Sequence, residues 1–545
     1  MRRWGRRVSR VAVLRVGRVF RVCAWATAAL LVGGALMPGN VATPLSGSGP
    51  RRSVVDKAAD VLIVGGGPDA EDNQVAIESN VGYVLSLYSR AAHARVLFAD
   101  GRKSSRTVLC ERPYTPATPA DAAMDLLLDD NKELPTGSYY RSSQLPQIDG
   151  PSSRRAVASS FSEIARRHSG NPILLYFTGH GSEGEDDSYA DNEYLLWNED
   201  MKVPGLARQI ARLPVNVPIA LVMSQCYAGA FADTIFHNAR HGAPIIPQNL
   251  GGFFGTTEDR TAAGCTPDVD QADYEDFTTY FMAALSGRDR LGGKVTGADF
   301  NHDGEVGMDE AFCYALIHDP TVDVPVCTSD AFLRDRVHVN DDELFRIPLS
   351  TLRSWATPAQ QAALDALATS PMVSGPAGRL ADLSALHHQV MDDQDSPVQK
   401  ATERYDAENK SLKQHLAAIR KRLFARWPAL RGPSRRGYPA AKAAALADLG
   451  GPHASDTQIV ATAAAHADDA SRQLDSAESQ EAYQLRLLRL AKTIALSHQV
   501  LTSGPPRVRA DLERILRAER RPLFPHRGDA AGRPTIVAAI TRPLN

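Results

Sequence analysis

Short runs of apolar and β-branched residues at 61–64, 95–99, 173–178, 219–224 and 252–255 alternate with longer stretches near 73–90, 155–168, 203–213 and 274–285, where apolar positions recur at helical spacing. Several of the short runs, such as Ile173-Leu174-Leu175-Tyr176-Phe177, are apolar at consecutive positions. A strand of that kind is buried on both faces, as parallel strands are when helices cover their sheet. The alternation predicts an α/β fold, a mostly parallel sheet flanked by helices, over residues 59–350.

After Ser350 the strand-like runs cease and Ala, Leu, Arg, Gln and Glu dominate, which predicts an all-α region over residues 351–545. Helices are expected at 358–369, 397–424 and 456–499, with breaks at Gly432-Pro433-Ser434 and Gly504-Pro505-Pro506. Such helices form a bundle or offer a surface to a protein partner. Every residue with candidate chemistry precedes them, so the region is expected to be dispensable for catalysis and to control access or partners.

Charge and the cysteine count add a compartment. The formal net charge of -2 becomes -10 once the eight arginines of residues 1–50, a segment without acids, are set aside. An acidic protein lacks the broad basic surface that nucleic-acid binding uses, so no nucleic-acid partner is expected. The arginine-rich start, the apolar run at 22–37 and the small residues that follow read as a signal peptide over residues 1–42, with a linker at 43–58. Export to the periplasm or the medium follows, and an uncleaved N-terminal anchor is the one route to a membrane. Cys110, Cys226, Cys265, Cys313 and Cys327 remain after Cys23 of the leader. Five is odd, so an oxidising compartment suggests up to two disulfides and a free thiol at Cys226.

Two strand ends carry the chemistry. The run at 173–177 leads into Thr178-Gly179-His180-Gly181-Ser182, and Ile219-Ala220-Leu221-Val222-Met223 leads into Ser224-Gln225-Cys226-Tyr227-Ala228-Gly229. Ligand sites of open parallel sheets form beyond the carboxyl ends of the strands, which would put His180 and Cys226 on one rim. A thiol attacks well only as thiolate, and a neighbouring imidazole stabilises that state or takes the proton. The surrounding glycines let backbone N–H groups approach a substrate carbonyl, and those of Gly181 and Cys226 are the expected oxyanion donors.

Tyr176-Phe177-Thr178-Gly179-His180-Gly181-Ser182, followed by a strand ending in Ser224-Gln225-Cys226-Tyr227-Ala228-Gly229, resembles the legumain family of cysteine peptidases. Val61-Leu62-Ile63-Val64-Gly65-Gly66-Gly67, Asn73-Gln74 and Phe98-Ala99-Asp100-Gly101 fit the same family. The likeness covers roughly residues 60–330 and implies a caspase-like fold, a His/Cys dyad and a peptide or protein substrate. In legumains the residue two before the catalytic cysteine is acidic and reads the substrate side chain; here it is Ser224. The GPI transamidases share the pattern, so transpeptidation is an alternative outcome.

Asp299-Phe300-Asn301-His302-Asp303-Gly304-Glu305-Val306-Gly307-Met308-Asp309-Glu310 follows the calcium-loop pattern. Asp299, Asn301 and Asp303 would give side-chain oxygens, Glu305 its carbonyl and Glu310 a bidentate carboxylate, with Gly304 at the sharp turn. Ca²⁺ is therefore the expected cofactor. Acids at 183, 185–187, 191 and 193, and again at 268, 270, 273, 275 and 276, would flank the cleft, attracting basic peptides or holding calcium. Two other classes stay open. Gly65, Gly67 and Ala70, with Asp100, match a dinucleotide fingerprint, although Asp69, Glu71 and Asp72 would oppose a pyrophosphate. A calcium-binding scaffold that keeps a dead peptidase fold is the other.

Overall fold

The computed structural model describes residues 57–88, 91–112, 114–129, 137–167, 169–184, 189–374, 380–391 and 396–523. The signal peptide or anchor and nearly all of the linker lie outside these residues. Among the described residues no helix is long and apolar enough to cross a membrane.

The strands are β1 (Lys57–Gly66), β2 (Ala91–Phe98), β3 (Arg106–Glu111), β4 (Ser138–Ser142), β5 (Ile173–Gly179), β6 (Gly181–Ser182), β7 (Glu193–Leu196), β8 (Glu199–Lys202), β9 (Pro218–Ser224), β10 (Asn249–Phe254) and β11 (Val326–Cys327). Six of them form one sheet in the order β11-β10-β9-β5-β1-β2. All neighbours in it are parallel except β10 and β11. The five apolar runs read from the sequence are the five parallel strands.

The consecutive apolar residues have the expected physical role. Val61 and Ile63 pack on one face of the sheet with helices Val75–Leu87 and Phe277–Ser286. Leu62 and Val64 pack on the other with helices Arg154–Arg167 and Val203–Ile210. Side chains alternate across a strand, so each strand feeds two cores at once. Chain order reverses between β1 and β5, since β2 lies to one side of β1 and β5 to the other. That reversal opens a crevice at their carboxyl ends.

The region after Ser350 is helical, including Pro358–Thr369, Pro397–Arg426 and the 50-residue helix Ala454–Ser503. It is not a separate appendage. A single hydrophobic cluster joins Phe236, Leu316, Phe332 and Leu333 to Leu487, Leu488, Ile494 and Leu512. Helix Pro506–Glu519 lies on β10 so closely that a Cβ on Gly251 would stand 3.1 Å from the backbone of Ala518. The helices share the hydrophobic core of the sheet region, which favours completion of the core over a region dispensable for catalysis.

All five described cysteines are free thiols, which corrects the expectation of disulfides. Cys110, Cys313 and Cys327 are buried in packed interior, where they behave as small apolar residues.

Candidate active site

His180 follows β5 and Cys226 follows β9, and the register pairs Thr178 with Ser224 at the carboxyl ends of these adjacent strands. The two motifs thus meet on one rim, beside the β1–β5 crevice. Gly179 turns at φ +153°, where a Cβ would stand 2.6 Å from the Gly66 carbonyl oxygen. Gly181 approaches the second motif directly, and a Cβ there would lie 2.1 Å from the carbonyl oxygen of Cys226. Neither position tolerates a side chain without backbone movement.

The half-buried His180 ring is held through Nε2, which lies 2.9 Å from the carbonyl oxygen of Asp72 and 2.9 Å from Oε1 of Gln74. Both partners are acceptors, so Nε2 carries the proton and Nδ1 keeps its lone pair. Burial holds the His180 pKa below the ordinary imidazole value, against the opposing charge and carbonyl of Asp72. Gln74 is itself buried, at the start of helix Val75–Leu87. It stood within the legumain-like motif, but only the fold discloses its contact with the histidine.

Cys226 is partly buried and precedes Tyr227, which adopts a left-handed conformation at φ 60°. Its Sγ accepts a 3.3 Å hydrogen bond from the Ala262 N–H. Burial pushes the thiol pKa up to about 12, reinforced by neighbouring Cys265 and opposed by the Ala262 backbone. No hydrogen bond joins His180 to Cys226 among the described residues; each side chain is occupied by its own partners. At neutral pH the pair is therefore a thiol beside a neutral imidazole and not a preformed ion pair.

Gly181 sits opposite Tyr194 in the antiparallel ladder of β6 and β7. The neighbouring Leu195 N–H donates to the His180 carbonyl at 2.9 Å. Hydrogen-bonded and non-bonded pairs alternate in such a ladder, so the Gly181 N–H points away from β7. It is not consumed by the sheet. Ser224, at the position that is acidic in legumains, is buried at the end of β9.

The loop after β10 supplies Ala262 and a second thiol, Cys265, whose Sγ lies 3.6 Å from the Gly179 carbonyl oxygen. Burial also pushes Cys265 up to about 12. Two anchors hold this loop. Asp323 accepts from the Ala263 N–H at 2.7 Å and the Phe277 N–H at 3.0 Å. Arg260 pairs at 2.7 Å with Glu481 of the long C-terminal helix. Asp323 is held in turn by Arg486 of that helix, which is 1% exposed and donates to the carbonyls of Asp323 (2.6 Å), Thr321 (2.8 Å) and Asp319. These supports were not foreseen, because hydropathy says which helix face is apolar and not what it covers.

Of the flanking acids, Asp191 and Glu193 pair with Lys202 at 3.3 and 3.8 Å. Asp276 caps helix Phe277–Ser286 and receives Asn80 at 2.6 Å. These acids have structural partners; residues 185–187 lie outside the described residues. The dinucleotide reading fails locally: the Gly67 N–H is taken by Asn73 Oδ1 at 3.2 Å, and a turn through Asp69 separates β1 from its helix.

In the calcium-like loop, Gly304 has φ +89° and its N–H donates to Asp299 Oδ2 at 3.0 Å, while the Glu305 N–H donates to Asp303 Oδ1 at 2.9 Å. Asn301 Oδ1 accepts from the Asp303 N–H at 2.8 Å. Glu310 is buried and accepts from the N–H groups of Phe300, Asn301 and Gly307 at 2.9, 3.1 and 2.9 Å. Burial pushes its pKa up to about 6. Asp299 Oδ1 is buried with no hydrogen-bond partner, which fits a cation ligand. The acid oxygens of this loop do not gather in threes within 4.8 Å among the described residues.

No protein-family model matches the chain, and no curated protein matches it. Among solved structures, protein GSU0716 from Geobacter sulfurreducens is similar at 10% identity, over 50% of this chain and 92% of that one, with a TM-score of 0.26.

Proposed function

We propose that this protein is an exported cysteine endopeptidase of the legumain and caspase type, on a caspase-like version of the sheet, with Cys226 as nucleophile and His180 as base. The observation that carries the reading is the meeting of the two motifs at the carboxyl ends of β5 and β9, with Gly181 against the Cys226 carbonyl. His180 Nδ1 takes the Cys226 proton as sulfur attacks the scissile carbonyl carbon, and the Gly181 and Cys226 N–H groups receive the oxyanion. The leaving amine takes the proton from His180, and water then cleaves the thioester to regenerate the thiol. An added amine in place of water would give transpeptidation, and the ratio of hydrolysed to aminolysed product distinguishes the two. The test is hydrolysis of a peptide library by the purified chain, with and without calcium.

Gln74 is a positioning residue in this scheme. Gln74→Ala should lower kcat/KM by about tenfold through looser orientation of the imidazole. Gln74→Glu should restore the hydrogen bond, and its charge should move the acid limb of the pH profile upward by favouring the imidazolium. Unchanged kinetics in the alanine variant would remove Gln74 from the scheme.

Calcium at Asp299, Asn301, Asp303, Glu305 and Glu310 belongs to the same proposal, supported by the partnerless Asp299 oxygen and the inward-turned loop. The ion would crosslink the loop to helix Met308–His318. Resemblance to metacaspases, some of which need calcium, suggests that activity also depends on it. Asp303→Ala, an exposed change, should weaken calcium binding by about tenfold or more in calorimetry. Equal affinity in the variant would refute the site whatever happened to activity.

A further inference from the structure

We propose a second metal site, for a divalent transition-metal ion of the zinc class, formed by Asp342 Oδ1, His387 Nδ1 and His388 Nε2. The two histidines belong to helix Ser384–Met391 and the carboxylate to the short helix Asp341–Leu344, far from the dyad motifs in the chain. Asp342 Oδ1 lies 3.6 Å from His387 Nδ1 and 3.9 Å from His388 Nε2, and one ligand atom from each residue fits within a 4.8 Å span. Tetrahedral zinc with bonds of about 2.0–2.1 Å needs donors about 3.3 Å apart. The two contacts to Asp342 close by a few tenths of an ångström, and the two imidazole nitrogens, which lie within 4.8 Å of each other, are brought together by rotation of the exposed His388 ring.

The independent observation is His387. It is 8% exposed, its ring lies against Phe345 with centroids 4.6 Å apart, and its Nδ1 is buried without a hydrogen-bond partner. A buried imidazole nitrogen is ordinarily paired, and this one faces a carboxylate just beyond hydrogen-bonding distance. Asp342 and His388 are exposed, so an ion can enter from solvent and keep water in the remaining position. Two imidazoles and one carboxylate suit zinc, and suit calcium or magnesium poorly, since those ions take oxygen donors. The ion would tie helix Ser384–Met391 to the Asp341–Leu344 turn, where Asp341 already pairs with Lys492 of the long helix at 2.6 Å.

The test is calorimetric titration of the chelator-treated full chain with Zn²⁺, beside Asp342→Asn and His388→Ala, both changes at exposed positions. One saturable site is expected in the native chain, weakened by about tenfold or more in each variant. Cobalt in place of zinc should give a nitrogen and oxygen ligand spectrum. No saturable binding, equal binding by the variants, or a thiolate-to-cobalt band pointing to the cysteines would each overturn the site.

Discussion

Alanine at position 226 is expected to lower peptide turnover by about ten-thousandfold or more, and alanine at 180 by a comparable factor, because nucleophile and base act as one unit. The fold should survive both changes. Cys226 is only partly buried and its thiol bonds only the Ala262 backbone, accepting from the N–H at 3.3 Å and donating to the carbonyl at 3.9 Å, so its loss should cost on the order of 1 kcal/mol. Cys265→Ala is the discriminating control, since that thiol approaches the Gly179 carbonyl in the same site. Retained turnover there, with loss at 226, assigns the nucleophile. Full turnover by purified Cys226→Ala or His180→Ala would sink the mechanism.

The same pair sets the pH profile. Burial keeps the His180 pKa below its ordinary 6.5, and the Cys226 thiol is pushed up to about 12. The active form is then neutral imidazole with thiol. Activity should fall as pH drops through the His180 pKa, below about 6.5, and hold a plateau through neutral and mildly alkaline pH. A preformed thiolate–imidazolium pair predicts a different curve, with activity lost as pH rises through the imidazolium pKa. A kcat/KM profile from pH 5 to 9 separates them, and loss of activity near pH 8 would favour the ion pair.

The rim geometry was legible because buried parallel strands write themselves as consecutive apolar residues. The run at 173–177 and the run at 219–223 could be placed side by side, and their glycine-flanked ends followed. Less visible were β3, whose apolar run Val108-Leu109-Cys110 is only three residues long, and β4, whose residues are all half-buried and show no apolar run. Gln74 lies just past the turn after β1, where no periodicity indicates which way an amide points. Ala262 acts through its backbone N–H, so its side chain carries no signal. Asp342 and the His387–His388 pair are separated by more than forty residues and meet only through packing. Arg486 did leave a trace: an arginine within Leu485-Arg486-Leu487-Leu488, on a stretch of helix buried all round, must find acceptors inside the protein.

A chain ended at Ser350 should be insoluble, or expanded and without a cooperative unfolding transition. Removing the later helices takes Leu487, Leu488, Ile494 and Leu512 from the cluster that contains Phe236, Leu316, Phe332 and Leu333. Each large apolar side chain left uncovered costs about 1.5–3 kcal/mol, and a few of them equal the net stability of a typical domain. Polar partners disappear as well. Glu519, buried, accepts from the Thr328 hydroxyl and the Ser329 N–H at 2.7 Å each, and Arg486 satisfies the carbonyls of Asp319, Thr321 and Asp323. The single change Arg486→Ala isolates the second effect. It leaves those carbonyls and the Asp319 carboxylate without their buried cation, at a cost of about 3–5 kcal/mol, and loosens the segment whose Asp323 holds the loop over Cys226. Lower thermal stability, with kcat falling more than substrate binding weakens, is the expected outcome in the full-length chain. A soluble chain ending at Ser350 that unfolds cooperatively and cleaves peptides at the full-length rate would show that these helices only dock on a complete domain.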